Sequence, residues 1–303
     1  MWKYFVKRVG LAVITVFIIC AITFFTMNAI PGGPFDSEKA PTKEVQRVLE
    51  ARYHLDQPVW KQFFIYMNNA LHGDFGISLK SGRAISSMIS SSLSISAKLG
   101  GIAMVVALIP GIILGAIAAL MRNRWPDRVI IFFTTLFVAV PSFILGTILL
   151  LVFCLKLGWL PVWSMTDPHY ILPVIALALY PMSYITRLTK TSMLDVLGQD
   201  YIRTARSKGV AELKVIFKHA LRNALIPVIT YVGPMTAYVI TGSMVVETIF
   251  TIGGLGSKFV TGITNRDYPV IMATTICLAV LMVAANLICD LIYKVVDPRI
   301  KFE

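Results

Sequence analysis

An ionisable side chain inside an apolar membrane segment is costly, so a carboxylate found there is a candidate for function. One such group stands in this 303-residue chain: Asp290, within the apolar run 270–293. Lys294 follows four residues later. Two roles are open to Asp290: an i, i+4 ion pair with a snorkelling lysine, or the lining of a solute pathway. Asn28 and Asn286 lie in apolar runs as well, where a polar cavity and an interhelical hydrogen bond explain each equally well. Covalent chemistry has no comparable seat. No GxxxxGK followed by Ser or Thr is present to hold phosphates, and neither HExxH nor GxSxG occurs. His54, His72, His169 and His219 are scattered without a second ligand at metal spacing. The serine cluster at 86–96 has no nearby histidine and acid, and reads as a polar approach to an apolar run. GGLGSK at 253–258 reads as a turn. The chain is expected to be a non-enzyme without cofactor or metal.

The second candidate is a surface. Residues 201–227, YIRTARSKGVAELKVIFKHALRNALIP, form the most basic run in the chain. Asp200 is placed to cap a first short helix, and Gly209 can take the left-handed conformation that ends one. In the helix expected next, Leu213, Ile216, Phe217, Ala220, Leu221 and Ala224 fall on one stripe, and Lys214, Lys218 and Arg222 on another. Such a cationic amphipathic helix is either a solvated face or a docking surface. The elements around it decide between the two.

Those elements are mostly apolar. The chain is 56% hydrophobic and only 15% charged, against about 25% charged in soluble proteins. Runs at 9–30, 99–121, 129–155, 171–186, 223–246 and 270–293 predict six membrane-spanning helices, each close to the length a 30 Å hydrocarbon core requires. The first run is longer than a signal-peptide core and lacks a cleavage site. Pro110 and Pro141 are expected to kink their helices and to face protein, where the freed backbone groups find partners. Cys20, Cys154, Cys277 and Cys289 all lie in apolar stretches, with no pairing or metal spacing. Trp159, Trp163 and Tyr170 mark a bilayer interface.

Between the first two spans, 31–95 is polar and carries both charge signs, so it is expected to fold outside the bilayer. Val45, Val48, Leu49 and Tyr53 share one helical face there. After Pro58, Val59, Phe63, Met67 and Leu71 repeat at helical spacing, and HGDFG at 72–76 ends that helix. The expected organisation is an N-terminus and first span (1–30), an extracytoplasmic insertion (31–95) and a core (96–303) containing the basic loop at 189–222. Six spans put both termini on one side. Short loops on that side carry 17 Lys and Arg, against 3 on the other. The positive-inside rule therefore places both termini and the basic loop in the cytosol. The net charge of +12 follows from this topology, and without zinc-finger spacing or an RNP motif it gives no reason to expect nucleic acid as a partner. No internal repeat or pair of broken helices supports a secondary carrier.

The basic loop resembles the coupling loop of permease subunits from ABC importers, whose pattern is E-A-A, three variable residues, G, and a distal I-x-L-P. Arg203, Thr204 and Ala205 stand in the first three positions, Gly209 in the glycine position, and Ala224, Leu225, Ile226 and Pro227 at the distal end. The acidic residue is missing, so a salt bridge from that position is not carried over. YIRTARSKG is similar to the peptide-permease version of the motif. WKYFVKR at the N-terminus, NAIPGGP after the first span, GSMVVETIF, GGLG and NRDYPV match the same branch, and the long first loop matches its B-type subunits. The resemblance implies an all-α polytopic fold, half of a heterodimeric pore completed by a C-type subunit. It further implies two cytoplasmic ABC ATPases and an extracytoplasmic peptide-binding protein in a bacterial cell membrane, with oligopeptides as substrate. Tyr201, Ile202, Arg203, Thr204, Ala205, Arg206, Gly209, Leu213 and Phe217 become the expected ATPase-coupling residues. The same architecture importing dipeptides, nickel complexes, glutathione or oligosaccharides is the nearest alternative, and a stand-alone carrier or channel the more distant one.

Overall fold

The computed structural model describes residues 2–30, 57–240 and 244–296, and among these there is no strand, only a lone antiparallel bridge between Ile77 and Ala84. The helices are α1 (Trp2–Ala29), α2 (Val59–Leu71), α3 (Ile85–Leu120), α4 (Trp125–Ala139), α5 (Ser142–Leu149) and α6 (Ile171–Leu197). They are followed by α7 (Asp200–Ser207), α8 (Glu212–Lys214), α9 (Arg222–Ile240), α10 (Met244–Ile249), α11 (Leu255–Thr264) and α12 (Tyr268–Val296). Leu150–Lys156 continues α5, and Val215–Leu221 joins α8 to α9, both with wider π-helical turns. Five of the described helical runs are long and apolar enough to span a bilayer: α1, α3, α6, the run starting at Glu212, and α12. A sixth is the pair Trp125–Ala139 and Ser142–Lys156, bent by 100°.

That bend lies where Pro141 was expected to kink the third span. Val140 and Pro141 both leave the helical region, because proline disfavours helical backbone at the residue before it. Pro141 is exposed on this chain rather than turned into it, while Pro110 sits half-buried inside a continuous α3. The serine cluster at 86–96 is part of the α3 helix, not an approach to it, and Ser92 and Ser96 are buried. Residues 247–269, between the last two apolar runs, are largely helical, and Leu255–Lys258 of GGLGSK, expected as a turn, opens α11. None of the four cysteines is in a disulfide. Of the three aromatic residues expected at an interface, Trp159 is exposed but Trp163 is buried.

The chain divides into two compact units. One comprises Met1–Ser96 and Gly253–Val283. Its core sets Cys20, Phe24 and Met27 of α1 against Phe63 of α2 and Ile271 and Met272 of α12. Phe63 meets the rings of Phe17, Phe24 and Phe25 at 5.4–5.6 Å, which explains why this one position of the α2 repeat is buried while Leu71 stays exposed. Buried Asp267 accepts hydrogen bonds from the Ser78 hydroxyl and from the Leu79 and Lys80 backbone N–H groups. The turn after α2 is thereby tied to the start of α12. Ser96 Oγ accepts the Leu255 N–H at 2.8 Å, satisfying one of the unpaired donors at the start of α11. The helical face expected at Val45, Val48, Leu49 and Tyr53 lies outside the described residues.

The other unit comprises Ala97–Ile252 and Ala284–Glu303 and is built around α6. This helix packs against α4, α5, α9 and α10, and α3 approaches it closely. A Cβ at Gly111 would stand 2.9 Å from Ile185, and one at Gly115 would stand 2.5 Å from the Thr186 carbonyl oxygen. Glycine is required at both by backbone proximity, since neither has an unusual φ.

Candidate functional site

The basic loop folds back on the end of α6. Gln199, not Asp200, occupies the cap position of α7; Asp200 is its first residue and makes an exposed 3.7 Å ion pair with Arg203. An acid in the first turn complements the helix dipole without capping it. α7 ends at Lys208, and Gly209 takes φ +76°, the left-handed conformation its lack of a Cβ permits. Arg206 spans the turn, its guanidinium donating to both carboxylate oxygens of Glu212 at 2.6 and 3.2 Å. The Glu212 carboxylate raises the Arg206 pKa above the ordinary arginine value, first through these hydrogen bonds. From Glu212 the chain stays helical through Ile240. The second helix of the loop and the fifth span are therefore one continuous element, where the sequence suggested two.

Underneath lies an apolar cluster of Ala119, Met193, Ile202, Val215, Ala220 and Ala224. Ile202 is fully buried, which contributes about 1.5–3 kcal/mol to holding α7 against the bundle. Expected as a contact residue, it is the anchor, and Ala205 is half-buried beside it. The expected apolar stripe is also redistributed: Val215, Ala220 and Ala224 face inward, while Leu213 and Phe217 are 70% and 64% exposed. The π-helical segment is the physical cause. Its i→i+5 bonding widens the turn, so burial steps by five from Val215 to Ala220 before returning to four at Ala224. Leu213 and Phe217 thus join Tyr201, Arg203, Thr204, Arg206 and Gly209 on the outer surface. Tyr201 is held by its Oη, which accepts from Asn223 Nδ2 at 3.1 Å. The result is an exposed rim of aromatic, aliphatic and basic side chains on a dry base. Among the described residues it holds no cluster of His, Cys, Asp or Glu that could bind a metal.

Sequence reasoning missed the lock beside this rim. Lys190 of α6 donates to buried Asp127 in the first turn of α4, and Asp127 also accepts the Asn123 N–H at 3.0 Å. Asn123 has φ +66°, a conformation asparagine tolerates. The two partners are 63 residues apart, and no local pattern pairs them. Glu247, just past the fifth apolar run, is fully buried in α10. Of the expected pathway residues, Asn28 is half-buried with its amide donating to the Phe24 carbonyl one turn earlier in α1, a bond within the helix and not between helices. Asn286 is exposed on α12, and the Asp290 side chain lies outside the described residues.

Residues 111–302 match the family described as binding-protein-dependent transport system inner membrane component, and residues 1–92 match the N-terminal model of such membrane components. The chain belongs to this family. The permease is 44% identical over 305 residues to the dipeptide transport system permease protein DppB of Bacillus subtilis, covering 100% of this chain and 99% of that one. It is 42% identical over 307 residues to the oligopeptide transport system permease protein OppB of Haemophilus influenzae, covering both chains fully. Among solved structures, the inward-facing MetNI methionine ABC transporter superposes with a TM-score of 0.59 at 16% identity, over 69% of this chain and 96% of that one. That likeness concerns the fold alone. The permease is a multi-pass, non-catalytic membrane subunit, and its rim at 201–217 falls inside the matched family region.

Proposed function

We propose that this permease forms half of the translocation pathway of an ABC importer for peptides and couples it to cytoplasmic ATPases through the rim at 201–217. The similarity that supports this reading covers the whole chain and includes permeases of both a dipeptide and an oligopeptide system. The other half of the pathway is a C-type permease subunit. Two cytoplasmic ABC ATPases dock below, and an extracytoplasmic peptide-binding protein delivers substrate. In this arrangement both termini and the basic loop face the cytosol of a bacterial cell.

Coupling then has a mechanical description. An ATPase grips exposed Leu213, Phe217 and Tyr201, with Arg203 adding charge. Buried Ile202 makes α7 move with the end of α6, and the unbroken helix from Glu212 passes the displacement into α9. Packed helices transmit such shifts as rigid-body rocking rather than by local deformation.

The test is ATP-driven uptake of a labelled peptide by the full complex in proteoliposomes, with Leu213→Asp and Phe217→Asp in this subunit. Each substitution removes an apolar contact of about 1.5–3 kcal/mol, so ATPase co-purification and uptake are expected to fall at least about tenfold. Retention of both in the double variant, or uptake by this chain without ATPases, would overturn the proposal.

A further inference from the structure

Past its first residue, Ile171, the uncovered face of α6 carries hydroxyl-bearing and charged side chains in place of aliphatic ones. Between Leu172 and Leu194 of α6, the exposed residues are Tyr180, Tyr184, Arg187 and Thr191. They follow one another at i, i+4, i+7 and i+11, a single stripe on a helix otherwise covered by α3, α4, α5, α9 and α10. Tyr180 lies about 14 Å along the axis from Ile171, near the middle of a hydrocarbon core of about 30 Å. Tyrosine is enriched at bilayer interfaces, where its hydroxyl is wet, and is out of place facing lipid near mid-core; Arg187 lies just past the apolar run 171–186, at the cytosolic end of the stripe. This stripe is therefore not a lipid face.

A helix of the second subunit is the other surface that could cover it. Helix pairs in membranes meet through small residues. α6 presents its close-packing side to Gly111 and Gly115 of α3, whereas the stripe carries two tyrosines and an arginine. Across from it, Tyr231 of α9 stacks on Tyr184 with ring centroids 4.2 Å apart and planes 23° from parallel. That pair forms a flat aromatic wall with phenol hydroxyls at its edge. Arg187 forms no ion pair with a carboxylate among the described residues.

Resting on the function proposed above, we infer that the α6 stripe lines the aqueous solute pathway and contacts the peptide in transit. Tyr180 and Tyr184 offer hydroxyls that donate to or accept from peptide backbone groups of any sequence. The Tyr184–Tyr231 wall gives side chains an apolar plane, and Arg187 pairs with a peptide carboxylate. Recognition of this kind is tolerant of sequence, as a conduit for peptides requires.

The experiment uses the full complex in proteoliposomes with the four native cysteines replaced. Tyr180→Cys, Tyr184→Cys and Thr191→Cys are introduced singly, with Phe132→Cys on the apolar exposed face of α4 as control. A charged, water-soluble methanethiosulfonate reagent is expected to modify the three stripe positions at least about tenfold faster than position 132. Binding protein, ATP and saturating peptide together are expected to slow that modification. Stripe positions as unreactive as 132 would overturn the inference, placing lipid or the second subunit on this face. In parallel, Tyr184→Phe is expected to raise the KM for peptide uptake roughly fivefold, the size of one net hydrogen bond, with kcat and binding-protein affinity unchanged. An unchanged KM in both Tyr184→Phe and Tyr184→Ala would overturn the peptide contact. The two readings fail separately. Absence of peptide uptake by the unsubstituted complex overturns the proposed function, whereas uptake with an unreactive stripe overturns this inference alone.

Discussion

Helices α1 and α6 are both long enough to cross a bilayer, yet they meet opposite burial problems. α1 rests one narrow seam, Cys20, Phe24 and Met27, on its unit and leaves Val13, Ile14, Ile18 and Ile22 about half exposed or more. Every one of those exposed residues is aliphatic. α6 is covered on nearly all sides, and past Ile171 at its start its exposed residues carry hydroxyls or charge. In lipid, apolar exposure costs nothing and polar exposure costs several kcal/mol, so the chemistry of the uncovered face tells which solvent a helix meets. Amount of burial and character of exposure are separate signals, and α1 and α6 differ in both.

The comparison can be broken at four places. The largest effect is expected at the lock of α6: Asp127→Ala strands the Lys190 charge, whose side chain is only 19% exposed, and should cost about 3 kcal/mol, read as a lower Tm of the purified complex. An apolar pair at 127 and 190 should recover much of that loss, since both desolvation costs vanish together. On α1, Ile18→Asp should reduce membrane integration by about 2.5–3.5 kcal/mol, measured as the inserted fraction in a translocon assay. Normal insertion would show that α1 faces water or a polar partner there. Gly115→Ala puts a Cβ 2.5 Å from the Thr186 carbonyl oxygen and 2.6 Å from the Thr189 Cβ, and should destabilise by about 1–3 kcal/mol in the same unfolding measurement. Gly10→Ala is the matched change on α1, where nothing lies within 4 Å. It should be neutral or stabilising by up to about 1 kcal/mol, and a clear loss would mean that α1 is covered at that point.

The helical class and the sites of the spans were legible because lipid forces long apolar runs, and composition alone reports those. The turn at Gly209 was legible for a similar reason, since a left-handed residue has a one-letter signature. Ile202 was not. On a short polar helix it reads as one apolar residue among contacts, and only the cluster with Met193 and Val215 makes it an anchor. Leu213 and Phe217 were grouped on one stripe with Ala220 and Ala224, which are buried, because a 3.6-residue period was carried through a segment that turns with a wider one. The helical character of 247–269 was hidden by its polarity and glycines, while Glu247 and Asp267 are buried where sequence polarity suggests solvent.

Sequence by itself determined that the chain spans a membrane, that its most basic run lies between the fourth and fifth apolar runs, and that it carries no P-loop motif. Each of these follows from residue type and local order. Tertiary structure decided which residues of the basic loop hold and which reach out, which carboxylates are buried, and which face of which span stays polar. Those depend on contacts between segments far apart in the chain, such as Asp127 with Lys190 and Ser78 with Asp267. A one-dimensional pattern carries the period of a helix; only packing decides which side of it is covered.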